Sequence, residues 1–289
     1  MTLDCVPSER DFSFKKHTTY GSGGTADIAY YPNSINQVRA VYDHLTLNGI
    51  PFKVLGNGSD ILASDAGFNG EVIVTKNLKK IYRTGRNSLV CQSGVTVGAL
   101  LAYCQNNCLG GLEYLAGIPA TVGGLAFMNG GAGGVYICKN IRKVTLYDGK
   151  MRNLSNKQCN FGYKYSTMRD INGVILSVEL SVAPQSAEIS EEKIKEYLKS
   201  RAFHPKGKSC GCVFKNPAGL SAGKIIEDAG LKGLRYGRAK VSEKHANFIM
   251  NEGDSSADVY KLIEEVKRRV FDFSGIALEE EVVYIGDFK

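Results

Sequence analysis

The sequence predicts an α+β protein with an extensive hydrophobic core. Apolar residues recur at helical spacing in residues 34–49 and 255–275, and short apolar runs bounded by turn residues recur between residues 81 and 185. The chain of 289 residues is 43% hydrophobic and 22% charged, which is typical of a soluble globular protein with two or three domains. These observations favour an α+β class organised in three domains.

The first domain is predicted for residues 1–80. A helix begins after Ser34, because Ser34 and Gln37 form a capping-box pattern, and it ends at Asn48-Gly49. The run PFKVLG predicts a short buried strand that leads directly into the glycine loop GNGSD, and GEVIVTKNL predicts a further strand.

The second domain is predicted for residues 81–186 and is rich in short strands. The runs NSLVCQSG, VTLYDGK and GVILSVELSV predict strands, and VGALLAYCQNN predicts a helix. Residues 183–190, APQSAEIS, are polar and carry a proline. They predict a linker to the next domain.

The third domain, residues 187–289, carries two well-marked helices. The run SAGKIIEDAG predicts a helix from Ser221 to Gly230, and a second helix follows in SSADVYKLIEEVKRRVFDFSG, which ends at Gly275. The apolar stripe of the second helix consists of Val259, Leu262, Val266 and Val270. The last strand of this domain can instead pair with the domains formed by residues 1–186.

The composition argues against a membrane protein and against a disulfide framework. No apolar run is long enough to span a bilayer, and the first residues lack the apolar core of a signal peptide, so we expect a cytoplasmic protein. Cytoplasmic thiols stay reduced. We therefore interpret most of the eight cysteines as small buried hydrophobic residues.

The cysteines also lack the spacing of a metal site. Cys104 and Cys108 are four residues apart and are expected on one face of a helix, but no second ligand pair follows at zinc-finger spacing. No metal site is predicted. The excess of basic over acidic residues, 36 against 29, fits either a nucleic acid or a small polyanionic substrate, and charge alone does not decide.

Two glycine-rich loops suggest a ligand. In GNGSD the backbone N–H groups can turn towards an anion, although such a loop is more often only a tight turn, and neither common nucleotide fingerprint is present. Residues 117–134 contain seven glycines, as expected where a backbone approaches a large flat ligand closely. The two loops together predict a dinucleotide bound between two domains.

Nine motifs carry a resemblance over nearly the whole chain. They are TTYGSGGTA, LGNGSDILASDAGFNG, GIPATVGG, MNGGAGG, FGYKYS, GCVFKNP, AGKIIEDAGLKG, VSEKHANFIMN and LEEEVVYIG. In this order they resemble the family of UDP-N-acetylenolpyruvoylglucosamine reductases, and the length of the chain is similar to that of the compact subclass.

The resemblance implies an FAD-binding fold of the vanillyl-alcohol-oxidase type in two subdomains, followed by a C-terminal α+β domain for the substrate. It implies that NADPH reduces the flavin and that the substrate is UDP-N-acetylglucosamine enolpyruvate, which becomes UDP-N-acetylmuramate in peptidoglycan synthesis. A monomer without nucleic-acid or membrane partners is expected.

The resemblance also assigns residues. Those expected to bind FAD are Asn57, Gly58, Ser59, Asp60, Gly117, Ile118, Thr121, Gly123, Gly124 and Asn129. Those expected to bind substrate are Tyr163, Arg201, Lys215, Asn216 and Lys240, with His245 a weaker candidate. The family usually has asparagine at position 60 and glycine at position 120, where this chain has Asp60 and Ala120.

Three residues are expected to be catalytic: Lys164, Cys212 and Glu281. Hydride addition to C3 of the enolpyruvyl group pushes electrons onto the carboxylate, which needs a cation and an acid nearby and a separate proton donor for C2. Lys164 stands where arginine is usual and lacks its bidentate fork. Cys212 replaces serine, and its thiol gives up a proton more readily than an alcohol does.

Each of these residues also has an ordinary interpretation. Lys164 would be an exposed loop lysine, Cys212 a buried structural thiol, and Glu281 one of three solvated glutamates. The same two substitutions leave open an FAD-dependent oxidoreductase of the same fold with another substrate. The net charge of +7 leaves open a non-catalytic binder of a nucleotide sugar or a nucleic acid.

Overall fold

The computed structural model describes residues 3–288, which contain seven α-helices, six short 3₁₀ helices and eighteen strands. The helices are α1 Phe14–His17, α2 Ile35–Leu47, α3 Val97–Asn106, α4 Val122–Met128, α5 Ala187–Ser200, α6 Ala222–Asp228 and α7 Ser256–Ser274. The strands are β1 Ser8–Ser13, β2 Thr25–Tyr30, β3 Phe52–Leu55, β4 Ile61–Ala63, β5 Phe68–Val74, β6 Ile81–Gly85, β7 Ser88–Gln92, β8 Leu109–Gly110, β9 Gly131–Ala132, β10 Val135–Tyr136, β11 Ile141–Tyr147, β12 Met151–Ser155, β13 Val174–Ser181, β14 Ala183–Pro184, β15 Arg235–Tyr236, β16 Ala239–Val241, β17 Ile249–Asn251 and β18 Val283–Ile285.

The described residues divide into two compact units. Those in Met1–Glu9, Ala29–Asn57 and Val72–Ala202 form unit 1, and those in Arg10–Ile28, Gly58–Glu71 and Phe203–Lys289 form unit 2. The predicted boundaries after residues 80 and 186 stay predictions. No helix among residues 3–288 is both long and apolar enough to cross a membrane.

Unit 1 is built around a five-stranded antiparallel sheet with the order β12-β11-β13-β7-β6. Strand β7 is buried along its whole length, and Cys91 pairs with Val178 of β13. Helix α4 packs against these two central strands. The three middle residues of β7, Leu89, Val90 and Cys91, are apolar, while the polar Ser88 and Gln92 lie at its two ends.

Unit 2 places α7 on a three-stranded antiparallel sheet of order β15-β16-β17. The four residues of the predicted stripe are all fully buried: Val259, Leu262, Val266 and Val270. The Ser255 hydroxyl accepts from the Asp258 amide at the start of the helix, and Gly275 ends it in the left-handed conformation at φ 70°. The predicted bounds of this helix are confirmed.

The start of α7 is also held by Asp65, from a distant part of the chain. Its carboxylate accepts from the Ser256 amide at 2.8 Å, the Ala257 amide at 3.1 Å and the Ser255 hydroxyl at 3.0 Å. Burial acts to raise the pKa of Asp65, but these hydrogen bonds outweigh it and lower the pKa below its ordinary value. The charged carboxylate therefore stabilises the helix end.

Asp65→Asn should lower the free energy of unfolding by about 1 kcal/mol at neutral pH, as loss of a helix cap does. Because the folded pKa is lowered, the stabilisation is present above the unfolded pKa and disappears as pH falls through the folded pKa. Urea unfolding at neutral and at acidic pH checks this. The exposed Asp27→Asn is the matched control, and an Asp65 effect that persists in acid would contradict the assignment.

Four sequence-based expectations need correction. Residues 183–190 are not a linker: β14 pairs with β8, and Ser186 caps the start of α5. Within the predicted buried strand PFKVLG, only Leu55 is buried. Helix α3 ends at Asn106, so Cys108 does not share a helical face with Cys104. Of the eight cysteines, only Cys91, Cys104 and Cys159 are buried.

Candidate functional site

The first glycine loop lies directly after β3 and is tied to the second one within unit 1. The Asn57 side chain donates to the Pro119 carbonyl at 2.7 Å. A Cβ on Gly56 would lie 2.6 Å from the Thr121 hydroxyl oxygen, so only glycine lets the two segments approach so closely. Two of the segments predicted to hold the cofactor are thus in direct contact.

In unit 2, Gly58 and Ser59 present amide groups that suit an anion. Gly58 is buried and has a φ of 64°. A Cβ at this position would lie 2.1 Å from the His17 carbonyl oxygen. The Gly58 carbonyl accepts from the Thr19 amide at 3.0 Å. The N–H groups of Gly58 and Ser59 find no acceptor among residues 3–288. The N–H of the buried Gly58 and that of the half-exposed Ser59, side by side and without a protein acceptor, fit a bound phosphate.

The backbone N–H groups at the start of α4, by contrast, donate to acceptors within the protein. The Val122 amide donates to the Val95 carbonyl, the Gly123 amide to the Ser93 carbonyl, and the Gly124 amide to the Thr121 hydroxyl. A Cβ on Gly123 would lie 2.7 Å from that of Ser93. Glycine at 123 is therefore explained by packing against residue 93, and its contact with a cofactor stays a prediction.

Ser93 itself is a residue that the motif comparison missed. Its hydroxyl oxygen is buried and makes no hydrogen bond within the described residues. A buried hydroxyl without a partner is unfavourable unless a ligand or water satisfies it. Its position beside Gly123 makes it a candidate cofactor contact. The signal in the sequence was the polar pair Ser93-Gly94 directly after a fully buried strand.

Asn129 ends α4 and holds the loop that carries Lys164. Its side chain donates to the Gly162 carbonyl at 2.7 Å and accepts from the Cys138 amide at 3.2 Å. Gly162 and Tyr165 exchange two backbone hydrogen bonds, so residues 163 and 164 form the tip of a tight turn. The predicted flavin contact of Asn129 would use the second N–H or the second acceptor position of its side-chain amide.

Lys164 adopts a backbone conformation that is uncommon for its type. Its φ is 54°, and the Arg169 guanidinium donates to its carbonyl at 2.8 Å. Tyr163 beside it is 41% exposed, and its ring packs edge-on against Tyr136. A non-glycine residue held in the left-handed region is destabilising by roughly 1–2 kcal/mol, and such strain is concentrated at functional sites.

Cys212 and Glu281 lie on neighbouring extended segments of unit 2. The Glu281 amide donates to the Val213 carbonyl at 2.8 Å, one residue after Cys212. On the other side, the Asn247 carbonyl accepts from the Val213 amide at 2.8 Å, and its side chain exchanges hydrogen bonds with both backbone groups of Phe214. Glu281 is buried, with 9% of its surface exposed. It is therefore not a solvated glutamate.

A cluster of ionisable groups surrounds Cys210, next to this pair. The Cys210 thiol donates to the fully buried Tyr20 hydroxyl at 3.4 Å. Burial and then Asp60 raise the pKa of the Cys210 thiol well above its ordinary value; the Tyr20 hydrogen bond opposes this, and Glu281 and Cys212 add to it. These side chains are therefore close enough to sense one another's charge.

Comparison with known proteins gives a consistent result. Residues 204–285 match the model of the UDP-N-acetylenolpyruvoylglucosamine reductase C-terminal domain, and residues 26–155 match an FAD binding domain. The UDP-N-acetylenolpyruvoylglucosamine reductase of Lactiplantibacillus plantarum is 34% identical over 99% of this chain and 96% of its own length. The chain belongs to this reductase family.

Further relatives agree with this membership. The reductase of Carboxydothermus hydrogenoformans is 38% identical over 94% of this chain and 92% of its own length. The crystal structure of the reductase from Thermus caldophilus superposes with a TM-score of 0.82 at 32% identity, covering 97% of this chain and 99% of its own. The predicted family, the α+β class, the FAD-binding fold and the FAD-dependent oxidoreductase activity are confirmed.

All ten predicted FAD-binding residues fall within the matched FAD binding domain. Cys212, Glu281 and Lys240 fall within the matched reductase C-terminal domain, whereas Lys164 and Arg201 lie outside both matched ranges. Arg201 lies near Gly117 in unit 1, where a Cβ on that glycine would come 3.1 Å from the Arg201 Cδ. The individual roles of these residues stay predictions.

Several proposed substrate residues already have partners within unit 2. Lys215 forms an ion pair with Glu279, and Lys240 forms one with Glu243 at 2.6 Å. The Asn216 side chain accepts from the Ala222 amide at 2.9 Å, at the start of α6. Because the glutamate partners are exposed to solvent, these ion pairs are weak and leave the lysines able to exchange partners.

His245 is explained by packing. Its ring lies 4.9 Å from that of Phe248 and 5.8 Å from that of His204, and its Nδ1 accepts from the Asn247 amide at 3.3 Å. Burial lowers the pKa of His245 below its ordinary value, so the ring is neutral at pH 7. It orders the Asn247 backbone that supports Val213, which is a structural role.

Proposed function

We propose that this chain reduces UDP-N-acetylglucosamine enolpyruvate to UDP-N-acetylmuramate, with NADPH as the electron donor, in the synthesis of peptidoglycan precursors. The family membership supports the reaction. The observation that carries it in this chain is the placement of the Cys212 segment directly beside the buried Glu281, within the matched C-terminal domain.

The bound FAD would take a hydride from NADPH and supply it to C3 of the enolpyruvyl group. The free amides of Gly58 and Ser59 would receive its pyrophosphate, and the Ser93 hydroxyl would contact it as well. The other FAD-binding assignments, among them Asn57, Asp60, Thr121 and Asn129, are retained as proposals because they lie in the matched FAD binding domain.

The protein side of the reaction uses three residues of this chain. Cys212 would hold a proton on its sulfur and transfer it to C2 of the substrate. Glu281 would donate a hydrogen bond from its carboxyl group to the substrate carboxylate as negative charge develops there. Lys164 would contribute a positive charge towards the same carboxylate, with its backbone fixed by Arg169.

Substrate binding is proposed for Tyr163, Arg201, Lys215, Asn216 and Lys240, whose side chains are polar and mostly cationic, as a UDP-sugar requires. We also propose that the protein acts in the cytoplasm, where NADPH is available, as a monomer without a nucleic-acid partner.

The test of the function is spectroscopic. The purified protein, reconstituted with FAD, should be yellow; under anaerobic conditions NADPH should bleach the flavin absorbance and the enolpyruvyl substrate should restore it with formation of UDP-N-acetylmuramate. Protein that stays colourless after reconstitution would overturn the proposal. Bleaching without restoration by this substrate would instead indicate an oxidoreductase for another compound.

Loss of the Lys164 charge should lower turnover less than loss of the proton donor does. Lys164→Met should lower turnover by about 10–100-fold, the equivalent of one charge-assisted hydrogen bond of roughly 1.5–3 kcal/mol. Lys164→Arg keeps the charge and adds the bidentate fork, so it should retain native turnover or exceed it. Steady-state kinetics check this, and equal losses in both variants would show that turnover does not depend on a positive charge at this position.

A further inference from the structure

Two thiols of unit 2 are separated by a single glycine. Cys210 and Cys212 are both half-buried and reduced. The chain bends at Gly211, whose φ is 88°, a value that favours glycine. A Cβ there would meet nothing within 4 Å, so the glycine is needed for its backbone angle and not for lack of space.

The bend brings the two cysteines within reach of each other. Cα atoms two residues apart are separated by at most about 7 Å, and a bend shortens that distance. Disulfides form at Cα separations of about 4.4–6.8 Å. The mutual electrostatic influence of the two thiols is consistent with this proximity.

We propose that Cys210 and Cys212 form a reversible disulfide when the protein meets hydrogen peroxide, and that this oxidation switches off turnover. The Cys212 sulfur attacks one peroxide oxygen, the O–O bond breaks, and a sulfenic acid and one water form. The Cys210 sulfur then attacks the Cys212 sulfur, the S–O bond breaks, and a second water leaves. Two thiols lose two electrons to the peroxide, and both thiol protons end in water.

We assign the order of the two steps from the surroundings of Cys210. Its sulfur is held in a hydrogen bond with the fully buried Tyr20 hydroxyl, and burial raises the pKa of its thiol, so it is a poor attacking group towards peroxide. The first step is therefore assigned to Cys212, and Cys210 resolves the sulfenic acid. For the second step Cys210 must leave its contact with Tyr20.

The disulfide should be easy to reduce. A bond between residues two apart closes a small ring, and strained disulfides have higher reduction potentials than structural ones. Ordinary cellular thiols would then restore the dithiol. Two other cysteines of the chain are unsuited to such chemistry, since burial raises the pKa of Cys91 and that of Cys104 to about 12.

Only the loss of turnover rests on the proposed function, because it requires Cys212 to be the proton donor. Formation of the disulfide does not depend on that assignment. The two parts therefore need separate measurements, one of the thiols themselves and one of activity.

Peptide mapping measures the thiols directly. The FAD-loaded protein is treated with hydrogen peroxide, alkylated with iodoacetamide and digested with trypsin. Cleavage after Lys208 and Lys215 releases SCGCVFK, which contains Cys210 and Cys212 and no other cysteine. We expect this peptide without label and lighter than the dithiol form by two hydrogen atoms. A peptide with both labels, or one oxidised only to sulfinic or sulfonic acid, would overturn the disulfide.

Activity is measured on the same samples. Peroxide should reduce turnover to the level of Cys212→Ala, and dithiothreitol should restore it. In Cys210→Ser the sulfenic acid has no resolving partner, so a second equivalent of hydrogen peroxide should oxidise it to sulfinic acid, and dithiothreitol should then no longer restore turnover. Cys108→Ser, which removes an exposed thiol elsewhere, should behave as the native protein does. If the disulfide forms and turnover is undiminished, both the switch and the proton-donor role of Cys212 are overturned. If the untreated enzyme is inactive but peroxide still forms the disulfide, only the proposed function is overturned.

Discussion

Replacing Cys212 by alanine should lower the turnover of the enolpyruvyl substrate by about 10²–10⁴-fold, the usual contribution of a general acid. The reason is chemical: alanine carries no proton that could reach C2. NADPH should still bleach the flavin absorbance at the native rate, since that step does not need the thiol. Stopped-flow absorbance separates the two steps, and product analysis measures the second.

The matched variant is Cys212→Ser, which restores a hydroxyl donor of nearly the same size. It should keep most of the turnover and, unlike the native protein, should be insensitive to peroxide. Cys210→Ala controls for the loss of a neighbouring thiol and should leave turnover near the native value. Normal turnover of Cys212→Ala would place the proton donor elsewhere.

Because the amide N–H of glutamine is a far weaker acid than a carboxyl group, Glu281→Gln should lower turnover, at most by the roughly 10²–10³-fold found when a donor to a developing oxyanion is removed, while FAD binding is unchanged. Glutamine preserves the shape and the backbone hydrogen bond to Val213, so the effect reports the carboxyl group. The expected change is in kcat with little change in KM.

The neighbouring Glu280 offers a strict control in the same segment. Its carboxylate pairs with Lys267 at 2.7 Å, so Glu280→Gln removes a charge at almost the same place. This variant should affect stability slightly and turnover little. If Glu280→Gln and Glu281→Gln lose the same amount of activity, the role assigned to Glu281 is wrong and the loss comes from the segment as a whole.

Helices with both a cap and an apolar stripe were predictable from the sequence, and α5 was not. Ser34 caps α2 as predicted, Ser255 caps α7, and each helix buries one face. In α5 the only buried residue is Ser190, while Ile189 and Leu198 are each 47% exposed. The apolar contact of α5 with the core comes from the partly buried Ile194 and Tyr197, which form too narrow a stripe to distinguish its sequence from that of a linker.

The candidate site was predictable as a set of positions but not in its local chemistry. The motifs indicated Cys212 and Glu281, whose segments are adjacent. They could not indicate that Lys164 adopts a left-handed conformation, because lysine has no preference for it. Nor could they show that the Ser93 hydroxyl is buried without a partner, since this depends on packing between segments far apart in sequence.

The discontinuous make-up of unit 2 has a consequence for biosynthesis. Strand β4 pairs in parallel with β18, which is made long after it. Residues 10–28 and 58–71 therefore have no complete partner surface until residue 285 has left the ribosome. Such non-local pairing slows folding and leaves strand edges exposed in the meantime. A nascent chain halted before residue 283 should accordingly remain sensitive to proteases in these two early segments.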